Sequence, residues 1–283
     1  VQNAREFHAA CARIRASPKR IAAAWTKGDL WWLLDWNQYR AYVRIRAQMR
    51  RPFGRFTLKW ARRTGKTFLL MVLVIEECLR HAGHRYNVAA ATDTSLVEFV
   101  WPAVSAILET CPQEQRVRIR QRGNGHLWFC KRAHAGRCDP DAHHSWIVLA
   151  GCNSARDVER LRGPASNGNV MEEIGAMPDA PGLRYVQTSI LKPQTITTKG
   201  WTLRAGTPPK STGHEAAVAF QDAEREPDLY SYATLYDNPR LSPEVVQQYL
   251  ESDARDLGMT VEEYKRSPDY RLEWLAIVET DPT

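Results

Sequence analysis

The sequence predicts an α/β fold, a mostly parallel central sheet flanked by helices, and three observations carry that prediction. Strand-length apolar runs alternate with helix-length amphipathic ones along most of the chain. A strand-like lead-in, Phe56-Thr57-Leu58, runs through Arg62-Arg63-Thr64-Gly65-Lys66-Thr67 into the apolar stretch Phe68 to Ile75, with no Pro or Gly before Arg80. At 283 residues and 43% hydrophobic content, the chain can bury one large core with a small appendage.

Taken in order, residues 3 to 16 and 30 to 50 read as helices. The second carries Trp31, Trp32, Leu34, Trp36, Tyr39 and Tyr42 ahead of Arg44, Arg46, Arg50 and Arg51, and Pro52 and Gly54 close it. The tryptophans are assigned to helix packing rather than to base stacking. After a break at Gly83, Tyr86 to Ala91 reads as a buried strand, and Thr92-Asp93 caps a helix running to Thr110. Arg116 to Arg122, a turn at Gly123-Asn124-Gly125, and His126 to Cys130 form a hairpin pattern. There follow a strand at Ser145 to Ala150, a short polar helix at Ala155 to Leu161, a strand at Asn169 to Met171, a helix near Leu183 to Leu191 and a strand at Trp201 to Ala205. Ser242 and Thr260 begin two amphipathic helices, with Asp253 to Gly258 between them.

Composition narrows the function classes. The longest apolar run is too short to span a membrane, and the N-terminus lacks the charged-apolar-small order of a signal peptide, so a cytoplasmic location is expected. Six scattered cysteines do not form a secreted disulfide framework. A formal charge of +7 and a pI near 9.2 favour a polyanionic partner.

The segment ending in Gly65-Lys66-Thr67 carries the chemistry. A turn whose backbone N–H groups point at an anion, with a helix N-terminus behind it, cradles phosphates; Lys66 reaches the outer phosphates and the Thr67 hydroxyl holds Mg²⁺. Trp60 stands where the pattern G-x-x-x-x-G-K-[ST] has its first glycine, so the loop must be entered differently. A hydrolase of this type also needs a carboxylate on a neighbouring strand for the Mg²⁺ shell and a second to orient water, and Val170-Met171-Glu172-Glu173 supplies both. Leu203-Arg204-Ala205-Gly206-Thr207-Pro208 places a polar residue at another strand end, where it could sense the γ-phosphate.

Together these segments resemble the ATPase domain of the large terminase subunit of tailed bacteriophages. The resemblance rests on an aromatic-rich segment with Gln38, then Arg62 to Thr67, Leu161-Arg162-Gly163, Met171-Glu172-Glu173-Ile174, Gly206-Thr207-Pro208 and Asp237-Asn238-Pro239-Arg240-Leu241-Ser242, and spans roughly residues 30 to 280. It implies an additional-strand P-loop NTPase with a small helical lid or linker at its C-terminal end. The implied division is 1–55 as an N-terminal helical segment contributing to the adenine site, 56–236 as the ATPase core and 237–283 as lid or linker, the family's nuclease domain being absent.

Activity and partners follow from the same resemblance. It implies a motor that couples Mg²⁺-ATP hydrolysis to translocation of double-stranded DNA into a procapsid, in the host cytoplasm. The partners would be the portal protein, the small terminase subunit and further copies of the chain in a ring, the isolated chain being a monomer. Arg62, Arg63, Thr64, Gly65, Lys66 and Thr67 would bind nucleotide, Gln38 would read adenine, Thr67 and Glu172 would hold Mg²⁺, Glu173 would polarise the lytic water, Thr207 would couple hydrolysis to movement, and Arg162 would act as an arginine finger on a neighbour. The family usually has Asp where Glu172 stands. Two alternatives stay open: a P-loop helicase-like remodeller, and a DNA-binding assembly module whose nucleotide site is degenerate, the latter motivated by Trp60 and Glu172.

Two further patterns remain. Arg116, Arg118, Arg120 and Arg122 alternate, so on a strand they would share one face suited to a DNA backbone, or serve as a solvated edge. Cys130, His134, Cys138 and His143 have spacings open to zinc but match no standard finger.

Overall fold

The computed structural model describes residues 1, 3–116, 119–122, 125–130 and 144–278. Its centre is a single sheet of eight strands: β1 (Arg55–Trp60), β2 (Arg85–Ala90), β3 (Ile119–Arg122), β4 (His126–Cys130), β5 (His144–Gly151), β6 (Gly168–Glu172), β7 (Trp201–Gly206) and β8 (Tyr230–Ala233), in the order β3-β4-β5-β2-β6-β7-β1-β8. The run from β5 to β8 is parallel throughout, while β3 and β4 are antiparallel at one edge. Every residue of β2 and β6 is buried, as a parallel sheet covered on both faces requires. The fold is thus the mostly parallel α/β sheet that the alternation of segments predicts. β7 lies between β1 and β6, so the loops leaving these three strands sit side by side at one end of the sheet.

Four helices lead up to and follow β1. α1 (Ala4–Arg15) and α2 (Pro18–Lys27) are capped by Asn3 and Ser17. α3 (Trp36–Met49) begins at a capping box in which the Asp35 carboxylate accepts from Gln38 N–H and the Gln38 side chain accepts from Asp35 N–H. That box shortens the helix expected over residues 30–50: a 3₁₀ turn at Trp31–Leu33 precedes it, and Leu34 is extended. Phe7, Trp31, Trp36 and Tyr39 pack ring against ring, and Trp32 is buried. These aromatics hold the N-terminal helices together, as assigned from sequence. α4 (Lys66–Arg80) is buried from Leu69 to Cys78 on nearly every face, because the sheet covers one side and the N-terminal helices the other.

Several elements depart from the sequence reading. The helix beginning at Asp93 contains a π-turn at Leu96–Val100 before Trp101–Glu109. Arg116 ends a short helix, Gln113–Arg116, and its guanidinium donates to the Leu108 carbonyl, so it does not belong to an alternating strand row. Arg118 lies outside the described residues; Arg120 and Arg122 fall on β3. α2, β8, the helix Glu215–Glu224 and the helix Pro268–Glu273 have no counterpart in the sequence reading. The two C-terminal helices read from sequence are present as Pro243–Asp256 and Val261–Arg266, capped by Ser242 and Thr260.

These C-terminal helices close an apolar cluster of their own: Leu235, Leu250, Ala254, Tyr264, Tyr270 and Trp274, with Ala61 among them. Ala61 is the first residue after β1, so the segment packs directly on the start of the phosphate loop. Among the described residues, no helix is long and apolar enough to cross a membrane.

Candidate active site

The loop after β1 begins later than the glycine pattern implies. Trp60 is still strand, buried, with its indole N–H donating to Ser231 Oγ at 3.1 Å, and the Ala61 N–H continues the β8 pairing to the Ala233 carbonyl at 2.8 Å. The turn is therefore Ala61-Arg62-Arg63-Thr64-Gly65. Its sharpest points are Arg63 (φ 58°) and Gly65 (φ 79°), both in the left-handed region, where Gly65 carries no Cβ penalty. A Cβ at Gly65 would also sit 2.2 Å from Gln38 Nε2 and so displace that amide. Gly65 caps α4 without a side-chain bond, which leaves the first N–H groups of that helix to whatever anion the turn holds.

The flanking side chains hold the turn in shape. Thr64 Oγ1 donates to the Ala61 carbonyl at 2.7 Å. Asn238 Nδ2 donates to the Arg63 carbonyl at 2.6 Å, the Arg63 guanidinium lies 4.5 Å from the Tyr249 ring centre, and Arg62 pairs with Glu273 at 2.8 Å. Gln38 is buried, its Nε2 donating to the Gly65 carbonyl at 2.9 Å while its Oε1 accepts from Asp35 N–H at 2.9 Å. Both ends of this amide are thus engaged within the chain, and Gln38 supports the turn from behind. Asn238, Tyr249 and Glu273 received no role from the sequence; the Asp237-Asn238-Pro239 segment was the only local signal near them.

Opposite the turn stand the two carboxylates. Thr67 Oγ1 donates to Glu172 Oε1 at 2.5 Å, while the other Glu172 oxygen is buried with no hydrogen-bond partner among the described residues. Lys66 Nζ lies 3.0 Å from Glu173 Oε2 and 3.2 Å from Thr207 Oγ1, and the Thr207 N–H donates to Glu173 Oε1 at 2.8 Å. Lys66, Thr67, Glu172, Glu173 and Thr207 therefore converge at one end of the sheet.

Electrostatics separate the two acids. Burial, reinforced by the charge of Glu173, pushes the Glu172 carboxyl up to about 7. Burial also opposes ionisation of Glu173, yet Lys66 and the Thr207 N–H outweigh it and hold that carboxyl below its ordinary value. Glu173 is thus the ionised partner at neutral pH. It is also strained, with φ 53°, a conformation that costs a non-glycine residue about 1–3 kcal/mol and persists where the surroundings over-determine it.

Arg162 is placed elsewhere. Arg85, the first residue of β2, donates to the Leu161 and Pro164 carbonyls at 3.0 and 3.2 Å, which fixes the Leu161-Arg162-Gly163 loop at the end of the sheet where β2 and β6 begin. Glu172 ends β6, so Arg162 stands at the opposite end of the sheet from it; it is exposed and paired with Glu159 at 2.5 Å. Of the zinc candidates, Cys130 closes β4, and His134, Cys138 and His143 lie outside the described residues.

No family sequence model and no curated protein sequence matches this chain. Solved structures do. The large terminase of the thermophilic bacteriophage D6E in complex with ADP aligns with TM-score 0.60 at 15% identity, over 86% of this chain and 53% of that one. The large terminase ATPase domain of Thermus phage P74-26 aligns with TM-score 0.58 at 19% identity, over 82% of this chain and 92% of that one. The HK97 bacteriophage large terminase aligns with TM-score 0.58 at 12% identity, over 87% of this chain and 50% of that one. The chain thus spans about half the length of the D6E and HK97 terminases but nearly all of the P74-26 ATPase domain. Through this likeness and its strand order, the chain has the P-loop fold of large terminase ATPase domains.

Proposed function

We propose that this chain is the ATP-hydrolysing motor domain of a phage large terminase, driving double-stranded DNA into a procapsid in the infected cell with the portal and small subunit as partners. The observation that carries the reading is the convergence of Lys66, Thr67, Glu172, Glu173 and Thr207 from three adjacent strand ends onto one helix N-terminus. Residues 56–236 form the hydrolytic core in this reading, 1–55 brace it through Gln38, and 237–283 act as the lid on the loop.

The residues fit a Mg²⁺ ion. Glu172 turns one oxygen to the Thr67 hydroxyl and leaves the other without a partner among the described residues, and Mg²⁺ characteristically takes one or two protein oxygens and fills the rest of its shell with water and phosphate. Bound there, it would neutralise phosphate charge. Because Glu172 is held up near 7, a cation is also what would keep it ionised.

The protein's own groups supply the rest. Lys66 is positioned to exchange Glu173 for a γ-phosphate oxygen, which frees the Glu173 carboxylate to orient a water for in-line attack. The Thr207 N–H keeps that carboxylate aimed, while the Thr207 hydroxyl, touching Lys66, registers whether phosphate is present. The open N–H groups at the start of α4 hold the α and β phosphates, with Arg62 and Arg63 at the mouth of the turn. Arg162, at the opposite pole of the sheet, acts on a neighbouring subunit of a ring, where a guanidinium is worth roughly 10³ to 10⁵ in turnover.

Phosphate release by the wild type, Lys66→Ala and Glu173→Ala, each with and without duplex DNA, tests the proposal. Both variants are expected to lose at least about a hundredfold in kcat, with ATP still binding to Glu173→Ala. Full turnover by Lys66→Ala would sink the reading. A wild type that binds ATP but never hydrolyses it would favour the degenerate assembly module, for which the longer Glu172 is the motivating feature.

A further inference from the structure

A cavity of about 990 Å³ opens at the end of the sheet opposite the phosphate loop, beneath the starts of β2 and β7 and between the C-terminal turns of α3 and α4. Its walls are strongly basic. Arg46, Arg50, Arg51, Arg80 and Lys199 face it against two carboxylates, Asp29 and Glu77. Both acids are already committed: Glu77 pairs with Arg46, and Asp29 with Arg80 at 2.8 Å. Arg50, Arg51 and Lys199 are exposed and make no ion pair among the described residues, so the concavity carries three uncompensated positive charges.

The rim is built as well as charged. Phe53 and Lys199 both adopt φ 55°, and the Phe53 N–H donates to the Lys199 carbonyl at 2.9 Å. Two non-glycine residues in the left-handed region cost about 1–3 kcal/mol each and are tolerated where a local arrangement is imposed. Here the arrangement locks the segment after Arg51 against Lys199 and so gathers the free cations along one rim of the cavity.

The backbone around the cavity indicates which anion fits. α3 and α4 both present their C-terminal, carbonyl ends here, the pole that favours the cationic side chains on the wall and offers an anion no free helix N–H groups, so an anion in this cavity is held by side-chain cations alone. Separate side-chain cations around a wide opening match a polymer that carries one charge per phosphate and releases counterions on contact. We infer that this cavity is a second anion site that takes the phosphodiester backbone of duplex DNA. The inference rests on the packaging reading for its partner, but the site is distinct from the nucleotide pocket: a six-residue strand separates them, roughly 20 Å.

The test is duplex binding by the full chain without nucleotide, followed by anisotropy of a labelled duplex across a salt series. Each phosphate contact contributes about 0.9 to the slope of log K against log salt, so R50S/R51S/K199S should lower the slope by roughly two to three. ATP turnover in the absence of DNA should be unchanged, which also shows that the variant is folded. R50K/R51K, which keeps the charges, should retain the wild-type slope. An unchanged slope in the triple variant would overturn the inference, as would displacement of the duplex by inorganic phosphate at constant ionic strength, the mark of a compact-anion site. Failure of the ATPase reading would appear separately, as undiminished turnover in Lys66→Ala.

Discussion

Gly175 is the place where a single methyl group should disable hydrolysis without touching a reacting group. It lies in the 3₁₀ turn Ile174–Ala176, immediately after Glu173, and a Cβ built there falls 2.0 Å from the Thr207 carbonyl oxygen and 3.1 Å from Pro208 C. Reaching even the tight limit of 3.0 Å requires the two loops to separate by about 1 Å, the difference between 3.0 and 2.0. Neither loop can yield through a rotamer, since the atoms met are backbone, and Gly206 on the other side has only 2.8 Å between a Cβ placed on it and Ile174 N. The movement must therefore act on the Glu173–Thr207 hydrogen bond of 2.8 Å and the Lys66–Glu173 pair of 3.0 Å.

A misplacement of about 1 Å at a catalytic group costs roughly a hundredfold in rate, or about 2.7 kcal/mol of barrier. Gly175→Ala is expected to lower kcat by that factor and leave KM for ATP within about threefold, because the turn Ala61–Gly65 and the start of α4 are not displaced. Overpacking should also lower stability by about 1–3 kcal/mol. Phosphate release against ATP concentration, with a thermal melt on the same samples, reads both quantities. Gly213→Ala serves as the control, since its Cβ would meet only Ser211 Oγ at 3.6 Å. A folded Gly175→Ala protein with wild-type kcat would refute the claim that the distance between these two loops governs catalysis.

Three other perturbations bear on the same site. Glu172 is raised above its unfolded value by burial and by Glu173, so the folded protein binds its proton more tightly and that contribution to stability is lost as pH rises from the ordinary carboxylate range through about 7. Without metal or nucleotide, Glu172→Gln should therefore melt above the wild type at pH 8, with the gap closing toward pH 5; an unchanged gap would contradict the burial argument. Arg162→Ala should abolish any rise in specific turnover with protein concentration while leaving nucleotide affinity intact, and wild-type turnover strictly proportional to concentration would argue against action on a neighbour. Asn238→Ala removes the 2.6 Å bond to the Arg63 carbonyl, worth about 1 kcal/mol, and should raise KM for ATP severalfold with kcat nearly unchanged. Equal KM values would show that the C-terminal segment does not shape the turn.

Much of this site was legible locally. The strand-turn-helix at Phe56 to Arg80 announces itself through apolar continuity, a glycine at the left-handed position and the absence of breakers, all of which act within a few residues. Thr92, Ser242 and Thr260 cap helices where short-range hydrogen bonding predicts, whereas the Asp35 cap inside the expected helix over residues 30–50 was not read. Other features carried no such signal. β8 has four residues, only Ala233 of them buried, so no apolar run marks it. Of the arginine alternation, Arg120 and Arg122 fall on β3, but Arg116 ends the short helix Gln113–Arg116 and its guanidinium reaches the Leu108 carbonyl. Trp60 looked like a defective loop glycine and is instead the last residue of β1, because its pairing with β8 extends the strand by one position.

From its sequence alone, the chain determines which residues are chemically suited to phosphate, metal and water: Lys66, Thr67, Glu172, Glu173 and Thr207 are recognisable by type and by the short elements that carry them. Only the tertiary structure decides that β7 is inserted between β1 and β6, that Lys66 meets Thr207 across 141 residues of sequence, that Gln38 turns both ends of its amide inward, and that Arg162 stands at the opposite pole. The reason is physical. Propensities, caps and turns are set by neighbours in the chain, whereas strand order and the contacts between strand ends arise from burying all the apolar faces at once, which no single segment encodes.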